Sequence, residues 1–309
     1  MRHEQTTRMT GRLMAGIAMM GLIAMATIPV AKAGVIFQDD FESEGAGLNL
    51  TPQPNGFAWG VGSNTQVSNV NPETGSYSLQ FDFAGVPDGS DDTAEQPFAL
   101  GGKYPEMWVK YDIFFPTNYF HRDSTTVATN HKSFLYLWEG NYQTPSGPGM
   151  GPAFWPDSAI TGTAATGQSI SSFAVWGVPG INPTNGGSEI HFGPWNYPQY
   201  WANQGYTVRT QDLGKWMQVI LHFKYASSAN NDGVAQIWLQ TAGESRRQVL
   251  NITNGPWYVA GQVGFDQGYL LGWANDGFAQ DTKIYIDNIE FSTDPIGMDP
   301  PAAPTVGVR

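Results

Sequence analysis

The chain has 309 residues, no cysteine and a formal net charge of −12 at pH 7. The lack of cysteine excludes disulfides, thiolate metal sites and thiol nucleophiles, and the acidic balance argues against nucleic acid as a partner. Aromatic residues make up 13% of the chain, which includes 11 Trp, and the 37 Gly provide many turns. This composition favours an all-β protein.

The first 33 residues have the pattern of a secretory signal peptide. Residues 13–28 are an apolar run, and a small-x-small cleavage site ends at Ala33. The basic residues before the run are Arg2, Arg8 and Arg12. We therefore predict a signal peptide over 1–33 and a secreted or periplasmic protein that is not held in a membrane after cleavage. A membrane anchor is the alternative, but the apolar run is short for a span.

Apolar and polar residues alternate in many short segments of the remaining chain. In residues 107–115, for example, Val109 and Ile113 fall on one face while Lys110 and Asp112 fall on the other. The segments with this pattern are 76–83, 107–115, 132–138, 171–177, 188–193, 216–225, 233–239 and 283–291. Alternation of this kind predicts strands, and so many strands in one chain must pack as two layers. We predict a two-sheet antiparallel β-sandwich over 34–294 and a Pro-rich disordered tail over 295–309.

Two details refine the predicted strands. The apolar parity of the last strand slips between Ile286 and Ile289, which predicts a bulge near Asp287 and Asn288. The strand at 216–225 presents His222 and two other polar side chains on its second face, and this face lies either in a binding cleft or on the outer side of the sandwich.

Long Gly- and Pro-rich segments at 139–170 and 193–212 are predicted to be loops, and loops of this length in a compact domain are commonly functional. Their aromatic residues are Trp155, Trp195, Tyr197, Tyr200 and Trp201. These rings either pack within the loops or form a platform on which the C–H faces of sugars stack.

Several motifs resemble, in order and spacing, those of a known family. They are QDDFESEG (38–45), GFAWG (56–60), TGSYSLQFDF (74–83), the segment 93–116, the hairpin 213–240 closed by Asn-Asp-Gly, YLLGWAN (269–275) and IYIDNIEF (284–291). Over residues 36–293 the chain resembles the concanavalin A-like jelly-roll domains of secreted polysaccharide lyases of the glucuronan, alginate and heparin lyase type. The resemblance implies two antiparallel sheets, one of them curved into a cleft that holds a polysaccharide.

A lyase that cleaves a uronic acid polymer by β-elimination must stabilise the sugar carboxylate and move protons. The residues that we expect to do this are His131, Lys132, Tyr136, His191 and Tyr269. The residues that we expect to bind the substrate are Glu95, Trp138, Trp155, Glu189, Trp195, Tyr197, Tyr200, Trp201 and Trp273.

The chain departs from the family pattern at two positions. Thr93 stands where the family has the Arg of an Arg-x-Glu strand, and Leu271 stands where some members have the Lys of a Tyr-x-Lys motif. These departures keep a second hypothesis open, namely a lectin-like protein that binds a glycan without cleaving it. A glycoside hydrolase is disfavoured, because its paired carboxylates would require a Glu at the position of Tyr285.

Acidic residues near the two ends of the fold suggest a structural calcium ion. Asp40 and Glu42 follow the first strand, and Asp287 lies in the last. Carboxylates are ligands that calcium prefers, so these three residues form the predicted site, and surface acids without a metal are the alternative. We predict no organic cofactor, and the sequence specifies neither the oligomeric state nor the sugar.

Overall fold

The computed structural model describes residues 34–45, 47–124, 129–132, 134–141, 144–145, 149–178, 189–193, 205–227 and 231–297. The predicted signal peptide and residues 298–309 of the predicted tail lie outside these ranges. Among the described residues there is no helix with the length and apolar character needed to cross a membrane.

The described chain is built almost entirely from strands. In chain order the elements are β1 (Val35–Asp39), β2 (Ala58–Trp59), β3 (Thr65–Ser68), β4 (Ser78–Phe83), β5 (Asp92–Tyr104), β6 (Glu106–Phe114), β7 (Leu135–Trp138), β8 (Gly140–Asn141), β9 (Thr144–Pro145), β10 (Gly149–Pro156), α1 (Ser158–Thr161), β11 (Ser169–Trp176), β12 (Glu189–Phe192), β13 (Trp216–Lys224), β14 (Gly233–Thr241), β15 (Arg247–Gly255), β16 (Phe265–Ala274) and β17 (Thr282–Ser292). A short 3-10 helix spans Thr210–Asp212.

The long strands form two antiparallel sheets. Sheet I has the order β15-β14-β13-β6-β17-β4-β3, and β1 also pairs with β17. Sheet II has the order β12-β11-β10-β7-β16-β5-β2, while β8 and β9 pair only with each other. The predicted two-sheet antiparallel β-sandwich of the jelly-roll type is thus confirmed.

One apolar core fills the space between the sheets. It includes Val109 and Ile113 from β6 of sheet I and Leu135, Leu137 and Phe173 from sheet II, all fully buried. Each such side chain contributes about 1.5–3 kcal/mol to folding by leaving water. Because side chains alternate along a strand, the remaining residues of each strand point away from this core, and they decide what the outer faces can do.

The segment predicted as a loop at 139–170 differs from the structure, since it contains β10. This strand pairs with β11 from Gly149 to Pro156 and contacts β7 through Met150 and Leu137. Its residues are buried on both faces except for the half-buried Trp155. A strand buried on both sides does not alternate, and its Gly and Pro residues are more typical of loops, so the sequence pattern concealed it.

The predicted bulge and the predicted hairpin of sheet I are both present. The register between β17 and β6 shifts between Asp287 and Glu290, and Asn288 has a φ of 52°, as expected for a bulge. The predicted hairpin is formed by β13 and β14, which pair from Met217 with Thr241 to Lys224 with Val234.

The chain stays packed on the sandwich beyond the predicted end of the domain at residue 294. Ile296 is buried against Trp108 and Ile220, on the face of sheet I that points away from the core. The Arg246 side chain also donates a hydrogen bond of 2.6 Å to the Gly297 carbonyl. The predicted tail therefore begins later than residue 295.

Candidate active site

The outer face of sheet II, which we call the site face, carries aromatic and polar side chains. Leu135, Leu137 and Leu270 point into the main core, whereas Tyr136 and Tyr269, from the same two strands, belong to a separate cluster. The other members of this cluster are Trp138, Ala153, Ala174 and the partly buried Trp176. This division follows from the alternation of β7 and β16, which places two predicted tyrosines on one surface.

Four rings of the site face form a row that we call the aromatic ladder, made of Trp176, Tyr136, Tyr269 and Trp138. The Trp176 and Tyr136 rings stack with centroids 5.0 Å apart and an interplanar angle of 19°. The Tyr136 and Tyr269 rings stack at 5.6 Å and 10°, and Trp138 is tilted against Tyr269 at 5.4 Å. Stacked contacts of this kind stabilise a fixed ring orientation.

Two glycines make room for the ladder. A Cβ atom at Gly151 would lie 2.6 Å from Cδ2 of Tyr136 and 2.3 Å from the Leu135 carbonyl oxygen. Gly272 has a φ of +122°, and a Cβ atom there would lie 2.5 Å from Cε2 of Tyr269. Both rings therefore lie directly over backbone that only glycine can provide.

Lys132 brings a positive charge to the ladder. Its ammonium nitrogen lies 5.4 Å from the Tyr136 ring centroid and 5.9 Å from that of Trp176. A cation at this distance is attracted by the ring faces. The Lys132 backbone N–H donates to the Trp273 carbonyl at 2.8 Å, so this residue is held three positions before β7 and beside β16.

His191 lies beside the ladder on β12. Across β11 and β12 it pairs with Ala174, a member of the ladder's cluster. Its Nδ1 is 3.0 Å from the Ser172 hydroxyl oxygen, and the same oxygen accepts a hydrogen bond of 2.8 Å from Nε1 of Trp155. The Trp155 and His191 rings meet edge to face at 5.2 Å. Both rings are half-buried.

The remaining substrate-binding candidates that the structure describes lie on β5, β12 and β16. Glu95 is half-buried on β5 opposite Leu271, and burial raises the pKa of its carboxyl group above the ordinary value. Trp273 is 45% exposed, and its Nε1 donates to Asp91 at 3.0 Å. The backbone of Glu189 pairs with that of Trp176. Four further candidates lie outside the described residues, namely Trp195, Tyr197, Tyr200 and Trp201.

His131 does not share the site face with Lys132. Its ring is 2% exposed, stacks on His121 with centroids 3.9 Å apart, and contacts Phe278 at 4.8 Å. Neighbouring residues of an extended segment point to opposite sides, so Lys132 reaches the ladder while His131 enters the interior. Burial lowers the pKa of His131 well below its ordinary value. These contacts place His131 on the inner side of its segment, away from the ladder, and its catalytic role stays a prediction.

The second face of β13 lies on the outer side of sheet I, away from the site face. His222 stacks on Trp108 with centroids 3.9 Å apart. Its Nε2 is 2.6 Å from Glu106, and its Nδ1 is 2.8 Å from the Gln236 side-chain oxygen. This face and the site face therefore lie on opposite sides of the sandwich.

The three residues of the predicted calcium site bind backbone instead of converging on a point. Glu42 Oε1 accepts from the N–H groups of Ser76 and Tyr77, each at 2.8 Å. Asp287 Oδ2 accepts from the backbone of residues 73 and 74 at 2.9 and 3.2 Å, while Asp40 accepts from the Glu42 N–H. Within the described ranges no group of three acidic or histidine side chains is placed to hold a metal ion. As placed, these three carboxylates do not fit a calcium ion, so the calcium predicted from the sequence has no support from this geometry.

Two members of the site were not predicted from the sequence. Trp176 completes the ladder, and Ser172 connects Trp155 to His191. Both lie on the predicted strand 171–177, on the parity opposite to that of Phe173 and Val175. This parity could have identified both residues, because side chains that alternate with core residues lie on the outer face of the strand, where a Trp has no role in the core.

Comparison with known proteins identifies a shared fold but no family. No family model matches the chain, and no curated protein matches it either. Among solved structures, the marine PL-14 alginate lyase from Aplysia kurodai is similar with a TM-score of 0.51 at 10% identity, over 84% of this chain and 99% of that one. A mutant of alginate lyase Aly36B in complex with an alginate trisaccharide has a TM-score of 0.49 at 14% identity, over 85% of this chain and 99% of that one. The binding domain of botulinum neurotoxin DC, in complex with SialylT, is also similar, with a TM-score of 0.41 at 10% identity, over 85% of this chain and 48% of that one.

Proposed function

We propose that the chain is a secreted polysaccharide lyase-like protein that binds a uronic acid-containing polysaccharide on the site face and cleaves it by β-elimination. The observation that carries the proposal is the convergence of Lys132, Tyr136, Tyr269 and His191 on one outer face of the sandwich. The jelly-roll fold, shared with an alginate lyase, supports the choice of substrate class.

Under this proposal each residue has a distinct task. The sugar carboxylate would lie near Lys132 and His191, because a cation and an imidazole donor stabilise the charge that builds up as the α-proton leaves. Tyr136 and Tyr269 would move protons, one taking the α-proton and the other protonating the departing glycosidic oxygen. The electron pair of the broken α C–H bond forms the C=C bond of the unsaturated uronate, while the carbon–oxygen bond at the β-position breaks and its pair stays on the departing oxygen, which takes the proton.

A lectin-like protein is the second candidate, and one observation favours it. Tyr136 and Tyr269 are 0% and 2% exposed, so a sugar reaches them only after neighbouring groups move. The half-buried Trp155, Trp176 and His191 are accessible without such a movement. Binding without cleavage therefore needs no movement of the groups that cover the tyrosines, whereas catalysis does.

The test is to incubate the mature protein with alginate, glucuronan and heparin-type polymers and follow the ultraviolet absorbance of unsaturated uronate ends. Tyr136→Phe should lower the rate by about a hundredfold or more, the usual loss when an acid or base is removed. Tyr111→Phe is the matched control, because Tyr111 is a buried tyrosine of the main core. Retention on immobilised polymer with no absorbance change in the wild type would favour the lectin-like candidate.

Secretion forms part of the proposal and has a separate test. Expression of the full chain in a bacterial host, followed by N-terminal sequencing of the exported protein, should give a first residue of Gly34.

A further inference from the structure

Ser172 joins the side chains of Trp155 and His191 through hydrogen bonds. Its side chain is fully buried on β11. Its hydroxyl oxygen is 2.8 Å from Nε1 of Trp155 and 3.0 Å from Nδ1 of His191. The backbone of Gly193 packs against Ser172, and a Cβ atom at residue 193 would collide with the Cβ of Ser172 at 2.7 Å. The hydroxyl group is thus enclosed between two rings of the site face.

The direction of each hydrogen bond follows from the chemistry of the groups. The indole Nε1 of Trp155 is only a donor, so the Ser172 oxygen accepts there. The hydroxyl group has one hydrogen of its own, and the acceptor within reach of it is Nδ1 of His191. A buried hydroxyl hydrogen left without an acceptor would cost about 1–3 kcal/mol. The hydrogen therefore points to Nδ1.

We propose that Ser172 is a positioning residue that fixes the tautomer of His191, with Nδ1 as acceptor and the ring hydrogen on Nε2. A nitrogen that accepts a hydrogen bond carries no hydrogen, so the neutral ring must carry it on the other nitrogen. His191 then meets a uronate as a hydrogen-bond donor through Nε2–H, and not as a base. This consequence rests on the proposed function, whereas the tautomer itself does not.

The tautomer can be measured without any substrate. Long-range proton–nitrogen correlation spectra of the histidine-labelled protein, recorded at a pH where the ring is neutral, distinguish a protonated ring nitrogen from an unprotonated one. We expect His191 to show hydrogen on Nε2 in the wild type and in Ser172→Thr, which keeps the hydroxyl group. Ser172→Ala should show a mixture of the two tautomers. His191→Gln identifies the signal.

Ser171→Ala is the matched control. Ser171 is the preceding residue of the same strand, is also buried, and bonds to Thr207 at 2.6 Å on the opposite face. The Ser171→Ala substitution should leave the His191 tautomer unchanged. Hydrogen on Nδ1 in the wild type, or an unchanged spectrum in Ser172→Ala, would overturn the proposal.

Binding of a uronic acid oligosaccharide supplies a second readout. Loss of the tautomer preference should weaken binding by about tenfold in Ser172→Ala, which is the effect of one hydrogen bond to a charged group. Ser172→Thr should restore most of the affinity. If the wild type binds no uronate but shows the Nε2 tautomer, the proposed function fails while the role of Ser172 stands.

Discussion

Acidification from pH 7 to pH 5 should destabilise the fold through the buried His121. This ring is fully buried, with Nδ1 2.9 Å from the Ser169 hydroxyl oxygen and Nε2 2.6 Å from the Thr129 carbonyl. Burial lowers its pKa from 6.5 to about 4. The unfolded chain therefore binds a proton between these values while the folded chain does not. The stabilising contribution is complete above pH 6.5 and is lost as the pH falls toward 4. Its loss at pH 5 is about 2 kcal/mol.

Other titratable groups shift the pH dependence of the stability in both directions. Asp157 and Asp123 raise the pKa of His121, although less than burial lowers it. The stacked His131 also has a lowered pKa, caused first by burial and then by His121 and Arg122, so it adds to the loss on acidification. Asp287 opposes it, because burial raises the pKa of that carboxyl group to about 6. Its contribution therefore grows as the pH falls through 6.

The assay is urea unfolding at pH 7 and pH 5, which gives the free energy of unfolding at each pH. His121→Gln removes the titration and keeps an amide donor for the Thr129 carbonyl. In the wild type the free energy of unfolding should fall between pH 7 and pH 5 in part because His121 titrates. In His121→Gln this fall should be smaller by about 2 kcal/mol. His222→Gln, on the outer face of sheet I, controls for loss of a histidine and should leave the His121 contribution in place. An unchanged pH difference in His121→Gln would refute the reasoning.

Three further predictions concern the core, the ladder and the predicted metal site. Tyr111→Phe should raise the free energy of unfolding by about 1 kcal/mol, because the Tyr111 hydroxyl is buried without a hydrogen-bond partner; a lower value in urea unfolding would contradict this. Gly151→Ala should cost about 1–3 kcal/mol by pushing the added methyl group into Tyr136 and should weaken glycan binding, whereas unchanged stability would mean that the ladder tolerates displacement. If calcium bound at the predicted site, a Ca²⁺ concentration a hundredfold above the dissociation constant would raise the free energy of unfolding by about 3 kcal/mol. Since Glu42 and Asp287 already accept backbone N–H groups, we expect thermal unfolding to be the same in Ca²⁺ and in EDTA.

The fold could be predicted where strands have one face in the core and one face outside. The strand β13 is of this kind, since Met217, Val219 and Leu221 are in the core while the half-buried Gln218 and Lys224 lie on the other face. The strand β10 could not be predicted, because burial on both faces removes the alternation and its glycines are there to admit the rings of neighbouring strands.

The site was predictable in part for the same reason. The alternation of β7 separated Tyr136 from Leu135 and Leu137 and so identified one side of the ladder. A histidine next to a lysine seemed equally suited to the site, but neighbours on an extended chain face opposite ways, and only the fold shows that His131 is the inner one. The connection from Trp155 through Ser172 to His191 joins three strands, and no local pattern indicates which strands are adjacent.

The aromatic ladder also has a consequence for how the protein folds. Its rings come from β7, β11 and β16, and the pair formed by Tyr136 and Tyr269 joins parts of the chain that are remote in sequence. Contacts between remote segments form slowly, because the intervening chain must first be ordered. If the ladder binds glycan as proposed, affinity should therefore appear with the slowest refolding phase, and a chain trapped before β16 joins β7 would have strands but an incomplete ladder.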